Sequence, residues 1–162
     1  FNVSSFNQDI SNWNVSKNTN MYYMFRGCPF NKDISNWDVS KVTNMHFAFA
    51  QSSFNQNIGS WNVSSVTDMS YMFYNNSVFN QDIGSWNVSN VSSFGSFMSG
   101  KSSANYSAAN LDSIYNGWSS RSVKPNLTIT FGSIKYNSTA QSGKNVLTSS
   151  PNNWTITDGG QV

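Results

Sequence analysis

The side chains best suited to chemistry in this sequence are short, polar and regularly spaced. Three rows recur: Asn12, Asn36, Ser60 and Ser85; Asn14, Asp38, Asn62 and Asn87; Ser16, Ser40, Ser64 and Ser89. On alternate positions of an extended segment such residues share one face, and together they make a flat, hydrogen-bonding, almost uncharged strip. That strip suits many weak polar contacts to an extended polypeptide or a glycan. The competing reading is internal, with stacked Asn and Ser side chains bonding one another up each row and stabilising the chain. A binding hot spot draws on exposed Tyr, Trp or Arg, and the strip has none.

Other constellations are weaker. Asp9, Asp33, Asn57 and Asp82 form a further row whose oxygens would suit calcium. Turn chemistry explains it better, because Asp and Asn bond their own backbone two residues on and Asn57 interrupts the carboxylates. Every acidic residue is Asp and there is no Glu, so paired carboxylates for glycoside hydrolysis have little to draw on. His46 is the single histidine and Cys28 the single cysteine. That leaves no zinc set and no nucleophile–histidine pair, and no disulfide within the chain. Cys28 reads as a half-buried structural thiol. One row of Thr19, Thr43, Thr67 and Ser92 is too little for an ice-binding surface. The Asn-x-Ser/Thr triplets at Asn14, Asn62, Asn87, Asn105, Asn126, Asn137 and Asn153 would accept glycans in a eukaryotic secretory pathway, but a chain so rich in Asn and Ser produces many by chance.

All the rows are set by one phrase. It runs Phe6-Asn-Gln-Asp-Ile-Ser-Asn-Trp13-Asn-Val15-Ser and returns from Phe30, Phe54 and Phe79. A spacing of about 24 residues lies in the range of repeat arrays. The apolar slots Ile10, Trp13, Val15; Ile34, Trp37, Val39; Ile58, Trp61, Val63; and Ile83, Trp86, Val88 follow the L-x-x-L-x-L spacing of a leucine-rich repeat. This predicts a strand with Trp37 and Val39 pointing inward and Asn36, Asp38 and Ser40 outward. Behind it, Val42-Thr-Asn-Met45 and Val66-Thr-Asp-Met69, followed by Ala48-Phe49 and Met72-Phe73, predict a short helical or 3-10 turn with the Met residues as pliable core. Phe25, Phe49 and Phe73 precede the later phrases as Phe1 precedes the first, so the chain is expected to start inside a longer array.

The 162 residues are 15% aromatic and only 10% charged, with a formal net charge of +2. So small and scattered a charge excludes an electrostatic argument for nucleic acid or an anionic membrane as partner. No run of about 18 apolar residues is present, so no membrane insertion is expected.

After residue 100 the texture changes. Ala104, Ala108, Leu111, Tyr115 and Trp118 predict an amphipathic helix capped by Ser103 and stopped at Gly117. Leu127–Phe131 alternates as a strand. Asn137 or Ser138 could cap a second helix through about Leu147, and Trp154-Thr-Ile-Thr reads as a last strand. The expected organisation is an α/β solenoid: residues 1–100 as about four repeats of short parallel strands and short helical or 3-10 turns, and residues 101–162 as larger helix–strand units capping it.

The phrase Phe-Asn-x-Asp-Ile-x-x-Trp-Asp/Asn-Val-Ser, with Val-Thr-Asn/Asp-Met-x-x-Met-Phe behind it, resembles the BspA-like leucine-rich repeat surface proteins, whose repeat is shared with a group of mycoplasma lipoproteins. The stretch from Ala104 through Trp118, then Tyr136, then Pro151–Gly160, is similar to the terminal unit of such arrays in bacterial surface proteins. The resemblance implies a right-handed leucine-rich-repeat-like solenoid at a cell surface or secreted, with adhesion as the associated role and no catalytic residues or cofactors.

The expected function is thus non-catalytic: adhesion to, or recognition of, an extracellular or host-surface protein or glycan through the polar strip. The alternative is a structural spacer or a self-assembling subunit of a larger extracellular or phage-like fibre. An exposed edge at the first repeat would there pair with another chain.

Overall fold

The computed structural model describes residues 1–162. Residues 1–100 contain no regular helix or strand and wind instead through tight turns. The reason is local. In the second unit Trp37 N–H donates to Ile34 O at 3.1 Å and Val42 N–H to Val39 O at 2.9 Å, so the chain folds back every three residues. Asp33 and Asp38 set both turns, each accepting the amide N–H two residues on, at 2.9 and 3.0 Å. The strand expected at Trp37–Val39 is therefore absent, although Ile34, Trp37 and Val39 are buried as the pattern required. The exceptions among the inward slots are in the first unit, Trp13 at 52% exposed and Val15 half-buried.

Parallel pairing lies on the other side of each unit, through single bridges Asn20–Asn44, Asn44–Asp68 and Asp68–Ser93. From these bridges the chain continues with alternate amides reaching the next unit. Met21, Tyr23, Phe25 and Gly27 donate to Asn44, His46, Ala48 and Ala50 carbonyls at 2.8–3.0 Å, and the pattern repeats one unit later. To hold this alternation Tyr23, Phe47, Tyr71 and Ser96 adopt left-handed backbone, with φ of 53° to 58°. Each such residue costs of order 1–3 kcal/mol, and the bonds between units offset that strain.

The core is built from columns of rings. Phe25 stacks on Phe30 at 4.2 Å, Phe49 on Phe54 at 4.2 Å and Phe73 on Phe79 at 3.9 Å, and these pairs repeat 5.6–6.4 Å apart from unit to unit. Met21, Met45, Met69, Met72 and Met98 fill the space between them.

The C-terminal part contains α1 (Ala108–Ser119), β1 (Thr128–Thr130), a 3-10 turn at Ser138–Ala140, α2 (Gln141–Thr148) and β2 (Thr155–Thr157). The strands pair in parallel with Ile129 opposite Ile156, and a bridge from Phe94 to Ile129 joins them to the preceding turns. Two sequence expectations are corrected here. Helix α1 starts four residues late, at an N-cap of Ser107 rather than Ser103, because the Ser107 hydroxyl takes the Asn110 amide while Ser102–Ser103 belong to a turn closed by Asn105 and Tyr106. Gly117 does not stop the helix but lies within it, where any Cβ would collide with the Gly84 carbonyl. The missing side chain lets α1 lie directly against the last turn.

Candidate recognition face

The polar strip is assembled as rows, but most of its hydrogen-bonding capacity is used locally. Asn14 Oδ1 accepts the Ser16 amide at 3.1 Å and hydroxyl at 2.7 Å. Asn62 does the same for Ser64 at 3.2 and 2.7 Å, and Asn87 takes the Ser89 amide at 3.2 Å. The Ser40 hydroxyl and amide bond Asp38 and hold its carboxyl below the usual range. The row before it reaches across units: Asn36 Nδ2 donates to Ser11 O at 3.1 Å, Ser60 Oγ to Ser35 O at 3.5 Å and Ser85 Oγ to Gly59 O at 2.7 Å. Asn12 is exposed at the head of that row, and Ser16, Ser40, Ser64 and Ser89 are half-buried. Solvent meets mainly the carboxamides of Asn14, Asn62 and Asn87 and the carboxylate of Asp38.

The Asp9 row is likewise turn chemistry. Asp9, Asp33, Asn57 and Asp82 each accept the amide two residues on, at 2.8–2.9 Å. Those amides lower the Asp9 and Asp33 carboxyls from their ordinary values. No three His, Cys, Asp or Glu side chains come close enough to hold a metal ion. The Thr row is also occupied, with Thr43, Thr67 and Ser92 hydroxyls bonding the carbonyl one unit back at 3.0–3.2 Å.

Three side-chain ladders escaped the reading of the sequence. The Asn after each repeat Phe is one: Asn31, Asn55 and Asn80 amides donate to Asn7, Asn31 and Asn55 Oδ1 at 2.8–3.1 Å. Its signal was available, since all four phrases keep that Asn. The indoles form a second, with Trp37, Trp61 and Trp86 donating to Ile10, Ile34 and Ile58 carbonyls at 3.0–3.2 Å. The third is a buried column of Cys28, Ser52, Asn76 and Lys101. In it Cys28 Sγ, Asn76 Nδ2 and Lys101 Nζ donate to Phe6, Phe54 and Phe79 carbonyls at 2.9, 3.2 and 2.7 Å. Cys28 is therefore buried, not half-buried, at 2% exposed, with its thiol bonded to the preceding unit's backbone. Burial also brings the Lys101 ammonium down to about 8.

The left-handed turns create a surface that the sequence pattern had not marked. Tyr23, Phe47 and Tyr71 stack outward at 4.8 and 4.4 Å. Tyr22 lies beside them over His46 at 5.4 Å, and Tyr74 meets Tyr71 edge-on at 5.6 Å. Arg26 places its guanidinium 5.2 Å from the Tyr23 ring and 5.6 Å from Phe47. His46 Nδ1 stands 3.4 Å from Asp68 Oδ2 and has no hydrogen-bond partner. Tyr22 is 53% exposed and the others are half-buried. Tyr and Arg are among the residue types in which hot spots are enriched, and none of these residues belongs to the Asn and Ser rows.

Residues 1–113 match the family model described as Mycoplasma protein of unknown function, DUF285. The chain belongs to this family. The DUF285 match runs through all four phrases and ends inside α1, after Tyr106 has stacked on Phe79 at 6.5 Å and the Ser107 amide has bonded Asn80 Oδ1 at 2.9 Å. Both the ladders and the aromatic face thus lie within the DUF285 region. Neither a curated protein nor a solved structure matches the chain.

Proposed function

We propose that this chain is a non-catalytic recognition module of a BspA-like surface protein, displayed at a cell surface or secreted, that binds an extracellular protein or glycan. In this reading the stacked turns are a leucine-rich-repeat-like solenoid with the helix–strand units as its cap. The observation that carries it is the continuous face of Tyr22, Tyr23, Phe47, Tyr71 and Tyr74 around Arg26. Rigid aromatics with one cation supply contact area at little entropic cost, and the core, already filled by the Phe, Trp and Met columns, does not need them. In this reading the strip of Asn14, Asp38, Asn62 and Asn87, whose bonds stay within its own turns, takes no part in the contact.

The purified chain, immobilised and probed with a panel of extracellular-matrix proteins and glycans, tests the reading. Saturable binding to at least one of them, reduced by Tyr22→Ser or Tyr74→Ser, supports recognition. Silence across the panel favours the second reading, a rigid spacer, which draws on the internal bonding of the Asn and Ser rows.

A further inference from the structure

The aromatic face holds an arginine, Arg26, that pairs with no carboxylate of the protein. We infer that it is the docking site for an acidic peptide segment, with Arg26 taking the carboxylate and Tyr22, Tyr23 and Tyr74 packing against the apolar side chains next to it. The inference rests on the recognition reading above and names its ligand class.

Every other cation withdrawn from water has an oxygen partner. Lys101 donates to Phe79 O, Lys124 to Asn90 O, and Arg121 to the carbonyls of Gly84, Ser85 and Gly117. Lys144 pairs with Asp158 at 2.7 Å. Arg26 is half-buried and belongs to neither of the protein's ion pairs, and its Nε is enclosed with no acceptor. Asp68, the acid of this face, accepts the Ser70 amide at 2.8 Å and pairs with no arginine or lysine. A guanidinium lying beside two stacked rings and lacking a carboxylate suits a bidentate acid, since its planar fork is pre-organised and little further entropy is lost on pairing.

The geometry favours a peptide over a sugar. Tyr23, Phe47 and Tyr71 lie face to face, with interplanar angles of 22° and 7°, so the column presents ring edges and hydroxyls rather than open ring faces. Edges accept apolar and aromatic side chains in tilted contacts, whereas a pyranose needs a free ring face to lie on. The platform is also rigid, because Tyr23, Phe47 and Tyr71 are each held in left-handed backbone by a hydrogen bond from the backbone N–H to a carbonyl of the next unit at 2.8–3.1 Å.

The test is selection of a phage-displayed random dodecapeptide library on the full 162-residue chain, followed by fluorescence-polarisation titration of the enriched peptides. The expected result is a consensus with Asp or Glu beside an aromatic or aliphatic residue, and an affinity that falls as salt rises. Arg26→Lys, which keeps the charge but loses the fork, should weaken binding tenfold or more. Tyr22→Ser, at an exposed site, should also weaken it, while Asn62→Ala leaves it unchanged. Melting temperatures of the variants separate lost binding from lost folding, and if Arg26→Lys melts early the Tyr22→Ser result decides. A consensus without acidic residues, or affinities indifferent to both changes, overturns the peptide assignment. In that case binding of the matrix panel would leave the recognition reading standing; failure of both library and panel would remove both.

Discussion

Trp118, in helix α1, donates its indole N–H to the Ile83 carbonyl at 3.2 Å, the bond that Trp86 makes to Ile58 from a turn. The helix thereby continues the register of the repeats although its backbone has a different form. Tyr106 follows Phe79 in the ring column, and Asn110 Nδ2 reaches Asn80 as Gln81 Nε2 reaches Asn55. The end of the stack is thus shaped by the same side-chain bonds as its interior.

Trp118→Phe keeps most of the packing and removes that bond, leaving the Ile83 carbonyl with the Trp86 amide as its one remaining donor. A loss of about 0.5–1.5 kcal/mol in unfolding free energy is expected, the net worth of one hydrogen bond. Trp118→Ala should cost more, about 3–5 kcal/mol, because it also opens a cavity beneath α1. Urea denaturation followed by circular dichroism distinguishes the two. A loss below about 0.5 kcal/mol for the phenylalanine variant would remove the indole ladder from the account of stability.

The Asn rows divide into structural and solvent-facing members. Asn55 Oδ1 accepts both the Asn80 amide and Gln81 Nε2, at 2.8 and 2.9 Å, so Asn55→Ala breaks a contact between units and should cost about 1–2 kcal/mol. Asn62 bonds only Ser64 in its own turn, and Asn62→Ala should cost under about 1 kcal/mol. Equal losses in parallel melts would show that the strip is as structural as the ladder.

The repeat and its buried residues were legible because a strict phrase puts Ile, Trp and Val in register and each unit needs its neighbour to bury them. The strand was misread because the same Ile-x-x-Trp spacing also closes a three-residue turn, and the Asp or Asn before it decides for the turn. Helix α1 was legible from Leu111, Tyr115 and Trp118, but its start depended on which serine found an amide, which no spacing encodes. The aromatic face was hidden for a different reason. Tyr23, Phe47 and Tyr71 take a backbone conformation that bulky residues rarely adopt, and only the bonds between units reveal that they point outward.

Lys101 makes stability depend on pH in an unusual direction. Its ammonium has an ordinary value of 10.5 and is lowered to about 8 by burial. Between those values the unfolded chain holds a proton that the folded chain has released, so stability rises with pH. The gain over the whole interval is up to about 3 kcal/mol. Tyr106 and Tyr115 act oppositely: burial raises both hydroxyls above their ordinary 10.0, so above pH 10 the unfolded chain loses protons that the folded chain keeps, and stability falls. Guanidinium denaturation across pH 7–11 should show a rise from about pH 8, a maximum near 10 and a decline beyond it. Lys101→Met should abolish the rise; its persistence in that variant would place its origin elsewhere.

The C-terminal units are tied by Asp158, whose Oδ2 accepts Lys144 Nζ at 2.7 Å and Tyr115 OH at 2.5 Å. These bonds join α2, α1 and the segment after β2, and the Lys144 ammonium also lies 4.6 Å from the Tyr136 ring. The Asp158 side chain is 5% exposed and that of Lys144 18%, so Asp158→Asn would strand an enclosed cation. Breaking such a pair from one side costs about 3–5 kcal/mol, and the partial exposure of Lys144 puts the expectation at the lower end. Asp158→Asn combined with Lys144→Met removes the stranded charge and should recover part of the loss. Hydrogen exchange would show where the damage falls: amides of α2 and β2 should lose protection while those of residues 34–66 keep it. Uniform loss across both regions would mean that the cap and the repeats unfold as one unit.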